Sequence, residues 1–491
     1  MKSKTKTKEG IKVRKHGILL LVIIIGGLLV PFVIVTLTIK GPPLNFPTKQ
    51  RIPIDDICGI CHIGSSNTSS DEWVTMKQLG ANWTRVDFHW SGIEPADDSW
   101  YWDKWDGFLN ATEDHNVKVL ALLLYDNVNV ETVNPQSDKY IHPNDIPYFL
   151  DYVNQTVRRY KDRVEAWEIW NEPNIHFWDG PIEHFYDLFN QTQELIHQIE
   201  VEFSQNLTVL SASMAGTFSG FVPPEFEAMF EAGIMDYIDV VSMHFYHYDA
   251  DSLYRGIMQH MVTAQKYGFA GDYWITEIGN PTGGEYAWRV SQEKLAENVI
   301  KSHVIASNLH VKEIMWYHDE DPLVPDPLDS EHFFGLVHGN GTWKPGAHAY
   351  SLFSNHCSNS ILYQDLVMNK GGIAANDLVA TLYRRANGNS TLIMWYDPTT
   401  YASGNIEVTL DLGAVGDIKI HDIYTGTNQT LSDTSIMVGN APIFITFQAA
   451  TISNPVTLHV EESGIALTLY IVIFITLISS LGLAVIVIKR R

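Results

Sequence analysis

Eight β-branched or apolar runs recur along the first two thirds of this chain, near Ile57, Trp83–Phe88, Val117–Leu124, Val164–Trp170, Leu207–Ser211, Ile238–Met243, Tyr273–Thr276 and Glu313–Trp316. Between them lie stretches with apolar residues at three- and four-residue spacing, among them Asp71–Leu79, Tyr148–Tyr160, His184–Ile199, Leu253–Tyr267 and Gln292–Ser307. Strands that alternate with helices argue for a parallel sheet with its helices outside. Eight repeats are the number that closes such a sheet on itself, so the chain is expected to be of the α/β class with a (β/α)₈ barrel over 55–357.

The pattern changes after a helix ending near Asn355. LVATLYRR, STLIMWY, IEVTLDL, IKIHDIY and PIFITF are short alternating segments divided by Asn-Gly, Asp-Pro and Thr-Gly turns. They predict a separate small β-sandwich over 358–450, with linkers at 40–54 and 451–464.

Both ends are unlike the middle. The segments 17–39 and 465–488 carry no charge and are long enough to cross a bilayer, so both are expected to be transmembrane helices. A cleaved signal peptide is the alternative for the first, but its apolar run exceeds the usual length and no clear small-residue cleavage site follows. Seven basic residues crowd 1–16 and three fill 489–491, which places both tips in the cytoplasm and 40–464 outside. Setting these ends aside leaves 23 basic against 56 acidic residues, a surface unsuited to nucleic acid. Nine N-x-Ser/Thr acceptors, at Asn67, Asn82, Asn110, Asn154, Asn190, Asn206, Asn340, Asn389 and Asn428, all fall between the two spans. Chance would give roughly three or four, so the excess agrees with a glycosylated domain on the extracytoplasmic side of a cell membrane.

Two segments carry the chemistry. WEIWNEPN (Trp167–Asn174) and YWITEIGNP (Tyr273–Pro281) each bring a strand up to a glutamate, Glu172 and Glu277, 105 residues apart. At about 31 residues per strand and helix pair, that interval is three slightly enlarged units. Glu172 then follows the fourth strand and Glu277 ends the seventh, so both reach the C-terminal face where barrel enzymes keep their chemistry. Paired carboxylates there are the equipment of a glycosidase. Cys58, Cys61 and His62 spell a c-type haem attachment pattern, CGICH, but they sit in the first barrel strand, where a haem would obstruct the mouth. Three cysteines exclude a full disulfide framework and leave one bridge from Cys357 to the first strand open.

At the level of these motifs the chain resembles glycoside hydrolase clan A, and family 39 with its endo-acting relatives most of all, over roughly 54–447. The resemblance implies a retaining β-glycoside hydrolase with Glu172 as acid/base and Glu277 as nucleophile, about 5 Å apart, needing neither cofactor nor metal. It also implies supporting roles. Arg85 in WTRVDFHW would hold the nucleophile ionised, and Asn171 would donate to the sugar's 2-hydroxyl. His244 and Tyr246 in VVSMHFYHY would contact the nucleophile and sugar, and Trp316 in EIMWYHDED would be the platform under the pyranose ring. His89 and His62 could line the pocket, and Trp90, Trp100, Trp102 and Trp178 could build further subsites. The acidic run Asp319, Glu320 and Asp321 reads as a solvated loop before it reads as a calcium site. The expected substrate is a polysaccharide or glycoconjugate at the cell surface, without commitment to sugar or linkage. A transglycosidase would share every residue named, and a non-catalytic carbohydrate-binding envelope protein would share the fold.

Overall fold

The computed structural model describes residues 50–61, 70–130, 133, 139–216, 222–246, 248–371, 377–398 and 404–461. The first strand, β1 (Arg51–Ile54), is followed by eight strands that close into a parallel barrel: β2 (Cys58–Cys61), β3 (Trp83–His89), β4 (Lys118–Leu124), β5 (Ala166–Ile169), β6 (Thr208–Leu210), β7 (Val240–Phe245), β8 (Asp272–Ile278) and β9 (Glu313–Trp316). The ring is sealed by pairing of β2 with β9. Barrel strands are covered on both faces, which is why β4 reads KVLALLL with six consecutive buried residues rather than an alternation.

The outer helices bury one stripe each. Ile146–Tyr160 starts with a proline in its first turn, ends on Arg158 and Arg159 at the negative end of its dipole, and buries Ile146, Phe149, Tyr152, Val153, Val157 and Tyr160. Each such apolar side chain contributes about 1.5–3 kcal/mol when fully buried. The Tyr152 hydroxyl donates to the Phe88 carbonyl, tying this helix to β3.

The C-terminal region consists of two sheets rather than an independent appendage. One has seven strands in the order Arg51–Ile54, Ser360–Tyr363, Leu378–Arg384, Asn389–Tyr396, Ile443–Ala449, Ala414–His421, Asn428–Thr430; the other has four, Val367–Lys370, Val456–Glu461, Ile406–Asp411, Ser435–Val438. Leu382, Leu392, Met394 and Ile445 of the first share an apolar core with Val408, Leu410, Val456 and Leu458 of the second. The opposite face of the larger sheet, through Tyr383, Ile393 and Trp395, belongs to the barrel's own core. Ser307 and Tyr383 hydroxyls lie 2.6 Å apart across that seam, and Asn308 donates to Thr381 at 3.0 Å.

Two boundaries read from sequence are corrected. The supposed linker 40–54 contains β1, which pairs antiparallel with Ser360–Tyr363, and the supposed linker 451–464 contains the strand Val456–Glu461. Both segments are short and find partners far away in sequence, so local patterning could not reveal them. The predicted spans 17–39 and 465–488 lie outside the described residues, as do His62 and Asn67, and among the described residues no helix is long and apolar enough to cross a membrane. Cys58, Cys61 and Cys357 are free and buried. Cys61 donates its thiol to the Thr276 carbonyl at 3.2 Å, so this side chain is packed inside the barrel wall and offers no attachment point for a haem.

Candidate active site

Six of the predicted residues converge at the C-terminal end of the barrel, around a cavity of about 660 Å³: Arg85, Asn171, Glu172, His244, Tyr246 and Glu277. Two local distortions aim the glutamates. The register of β8 against its neighbours shifts between Ile275 and Ile278, so consecutive residues Thr276 and Glu277 both point inward; a bulge re-aims a side chain in this way. Beyond β5, Trp170 and Glu172 hold positive φ values of 67° and 41°, flanking Asn171, which bridges to Ser213. A left-handed non-glycine residue costs about 1–2 kcal/mol. The surroundings fix it, for the Trp170 indole donates to the Phe177 carbonyl at 2.9 Å and Asn174 exchanges hydrogen bonds with Ala215.

Arg85 is the hub. Its Nη1 donates to Glu277 Oε1 at 2.5 Å, its Nε to Glu168 Oε2 at 2.7 Å and its Nη2 to Asn171 Oδ1 at 3.0 Å. Burial works against the guanidinium's charge, but Glu168 and Glu277 outweigh it and hold its pKa above the ordinary arginine value. The other oxygen of Glu277 accepts the Tyr246 hydroxyl at 2.5 Å. Burial and the nearby Glu277 charge push the Tyr246 phenol up, which keeps it a donor.

Glu172 has a different environment. His244 Nδ1 lies 2.8 Å from its Oε1 and 3.5 Å from Glu277 Oε2. One oxygen of each glutamate and a nitrogen of His244 all fall within 4.8 Å of one another. Such a trio could also take a cation, but Glu277 already accepts from Arg85 and Tyr246, and the fixed positive charge of Arg85 opposes a second cation beside it. The arrangement therefore offers one carboxylate held by a cation and a phenol, and a second, within reach of the same small volume, held by an imidazole.

Two predicted residues lie elsewhere. Trp316 is fully buried and stacks on His303 of the helix Gln292–Asn308, so it packs between barrel and helix and is not a platform. Successive residues at the end of β9 face opposite ways, and it is Tyr317 that lines the cavity. His89 stays on the rim, its side chain 45% exposed and 3.5 Å from Asp87, touching the wall residues Asp87 and Tyr125 without lining the cavity itself. The additional tryptophans are structural. Trp90 donates to Glu94, Trp178 donates to the Pro181 carbonyl, and Trp100 stacks on Trp102, all outside the cavity lining. The acidic run at 319–321 is tied down by Lys344, whose Nζ donates to Asp321 Oδ1 at 2.8 Å.

Sequence reasoning missed Glu168 and the far wall. Glu168 is fully buried and accepts from Arg85 and from the Ser242 hydroxyl at 2.7 Å. A lone carboxylate inside the strand AWEI was a readable sign of a buried cationic partner. Tyr286, Trp288, Glu331 and Phe334 come from the loops after β8 and β9, which have no periodicity to flag them.

Comparison with solved structures follows the same lines. The fold is similar to a family 39 glycoside hydrolase from the gut symbiont Bacteroides cellulosilyticus WH2, at TM-score 0.63 and 15% identity, covering 80% of this chain and 81% of that one. It is similar to a glucosidase from Croceicoccus marinus, at TM-score 0.58 and 12% identity over 83% and 98% of the two chains. A family 30 subfamily 8 xylanase from Clostridium acetobutylicum matches at TM-score 0.50 and 12% identity over 82% and 97%. No protein-family model matches the sequence, and no curated protein matches it either. At these identities the likeness is one of fold, and a family 39 glycoside hydrolase is among the structures that share it.

Proposed function

We propose that this chain is a membrane-anchored, extracytoplasmic retaining β-glycoside hydrolase acting on a polysaccharide or glycoconjugate at the cell surface. The observation that carries the reading is the pair of buried glutamates at the barrel mouth, with an oxygen of each within 4.8 Å of the other and with unlike partners. Retaining enzymes hold their carboxyls about 5–5.5 Å apart, too close for a water between them and the sugar. The solved structures of similar fold support the hydrolase class, and the two uncharged runs at 17–39 and 465–488 support the anchors.

In this reading a Glu277 oxygen attacks the anomeric carbon while the bond from that carbon to the leaving oxygen breaks, and Glu172 gives its proton to that oxygen. Arg85 and Tyr246 keep the attacking carboxylate ionised and oriented. Once Glu277 is esterified its charge is gone. Glu172, now a carboxylate, takes a proton from water as the water oxygen bonds to the anomeric carbon and the ester bond breaks, restoring both groups. Asn171, held by Arg85 Nη2, would meet the sugar's 2-hydroxyl, and Tyr317 replaces Trp316 as the aromatic contact.

The test is release of new reducing ends from a broad panel of polysaccharides and aryl β-glycosides by the full chain beside Glu277→Gln. Loss of about 10³-fold or more in the variant, with folding intact, is expected. Equal activity in both proteins would remove Glu277 from the chemistry.

A further inference from the structure

The charge inventory of the cavity says something about the sugar, an inference that rests on the glycosidase reading and deepens it. Among the described residues lining the cavity are four carboxylates, Asp87, Glu172, Glu277 and Glu331, against one arginine and no lysine. That arginine, Arg85, has a side chain only 1% exposed and spends its Nε, Nη1 and Nη2 on Glu168, Glu277 and Asn171. The remaining basic side chains in the lining are His176 and His244, and His244 is lodged against both catalytic glutamates. Glu331 is built in. The Tyr286 hydroxyl donates to its Oε1 at 3.0 Å and the Tyr317 hydroxyl to its Oε2 at 3.2 Å, while the Tyr286 ring stacks on Trp288 with centroids 5.0 Å apart.

A site that takes uronic or sulfated sugars needs a cation free to meet the ligand's anion, most effectively an arginine fork. Here the fork lies beneath the floor and is already engaged. An acidic sugar would instead bring its charge toward half-buried Asp87, where like charges repel more strongly than in bulk water, and toward Glu331 at the rim, where the repulsion is screened but of the same sign. Each oxygen of a carboxylate can accept more than one hydrogen bond, so Glu331 keeps capacity for sugar hydroxyls beyond its two tyrosines. We propose that the cavity takes uncharged sugar units, with Glu331 as the specificity residue that accepts hydroxyls of a neutral sugar and repels an acidic one.

The experiment uses the full chain and stereochemically matched pairs, each a neutral aryl β-glycoside and its uronic counterpart, with turnover measured beside calorimetric binding of the corresponding free sugars. The neutral member is expected to be preferred by about tenfold or more, and Glu331→Gln to narrow that gap about threefold or more. Raising the ionic strength narrows it in the same sense. Asp87→Asn serves as the second variant should Glu331→Gln fold poorly. Uronides cleaved as fast as their neutral partners would overturn the proposal and leave the glycosidase reading standing. Absence of turnover throughout would sink hydrolysis alone, and the binding order would then decide the charge selection. Uronate bound as tightly as the neutral sugar, or neither bound, overturns it.

Discussion

Replacing Arg85 with methionine removes the guanidinium that joins Glu168, 0% exposed, to Glu277, 7% exposed. Two unit charges at 4 Å interact by about 4 kcal/mol at an effective dielectric of 20, so the two lost attractions are large before desolvation is counted. Arginine's own burial cost offsets much of that. What remains is the penalty of buried charges that have lost their cation and keep only part of their hydrogen bonding, about 3–5 kcal/mol. Urea unfolding of the full chain measures it. With a slope of about 3 kcal/mol per molar, a loss of about 4 kcal/mol lowers the midpoint by about 1.3 M. Adding Glu168→Leu removes one of these charges and recovers part of the loss, giving a non-additive cycle. A loss below about 1 kcal/mol, unaffected by the second substitution, would show that the cluster is not held by charge.

Two further outcomes follow from the same structure. Tyr317→Leu, which removes a ring from the cavity wall and one donor to Glu331, should raise KM several-fold with little change in unfolding midpoint, whereas Trp316→Leu should cost about 3 kcal/mol of stability and leave KM unchanged; steady-state kinetics beside thermal melts separates them. His260 and His303 are buried, which lowers each pKa from its ordinary 6.5 to about 4, so the folded state resists protons that the unfolded chain takes up. Their contribution is whole above pH 6.5 and is lost as pH falls towards 4, about 3 kcal/mol for each. Replacing His303 with glutamine should flatten the pH dependence of the melting temperature in that window, and an unchanged slope would refute the assignment.

The barrel was legible because parallel strands buried on both faces announce themselves as apolar runs, and each of the eight runs lies on or beside an observed strand. The glutamates were legible because each closes such a run. What failed was direction at the resolution of one residue. Trp316 and Tyr317 are neighbours, and only the register of β9 in the closed ring decides which of two aromatic rings faces the cavity and which faces His303. His89 fails similarly, at the point where β3 gives way to the short helix Trp90–Ile93. Glu331 and Trp288 were invisible for a different reason: their loops have no period, and the contacts that reach them, such as the Tyr286 hydroxyl on Glu331, join residues 45 apart.

The pairing of Arg51–Ile54 with Ser360–Tyr363 gives the molecule a clasp. A strand made before the barrel waits through the synthesis of all eight barrel strands for its partner, and the ion pair beside it, Arg51 with Asp365, spans 314 residues. Closing so long a loop is slow, although lengthening adds little to its equilibrium cost. Cutting the chain after Cys357 would therefore not release a self-sufficient barrel and a self-sufficient sheet domain. The barrel fragment would carry an unpaired strand edge, and the sheet fragment would lack its outermost strand. The barrel is in this sense an insertion within the sheet domain, and the two halves make one cooperative unit that fragments could restore only by finding each other.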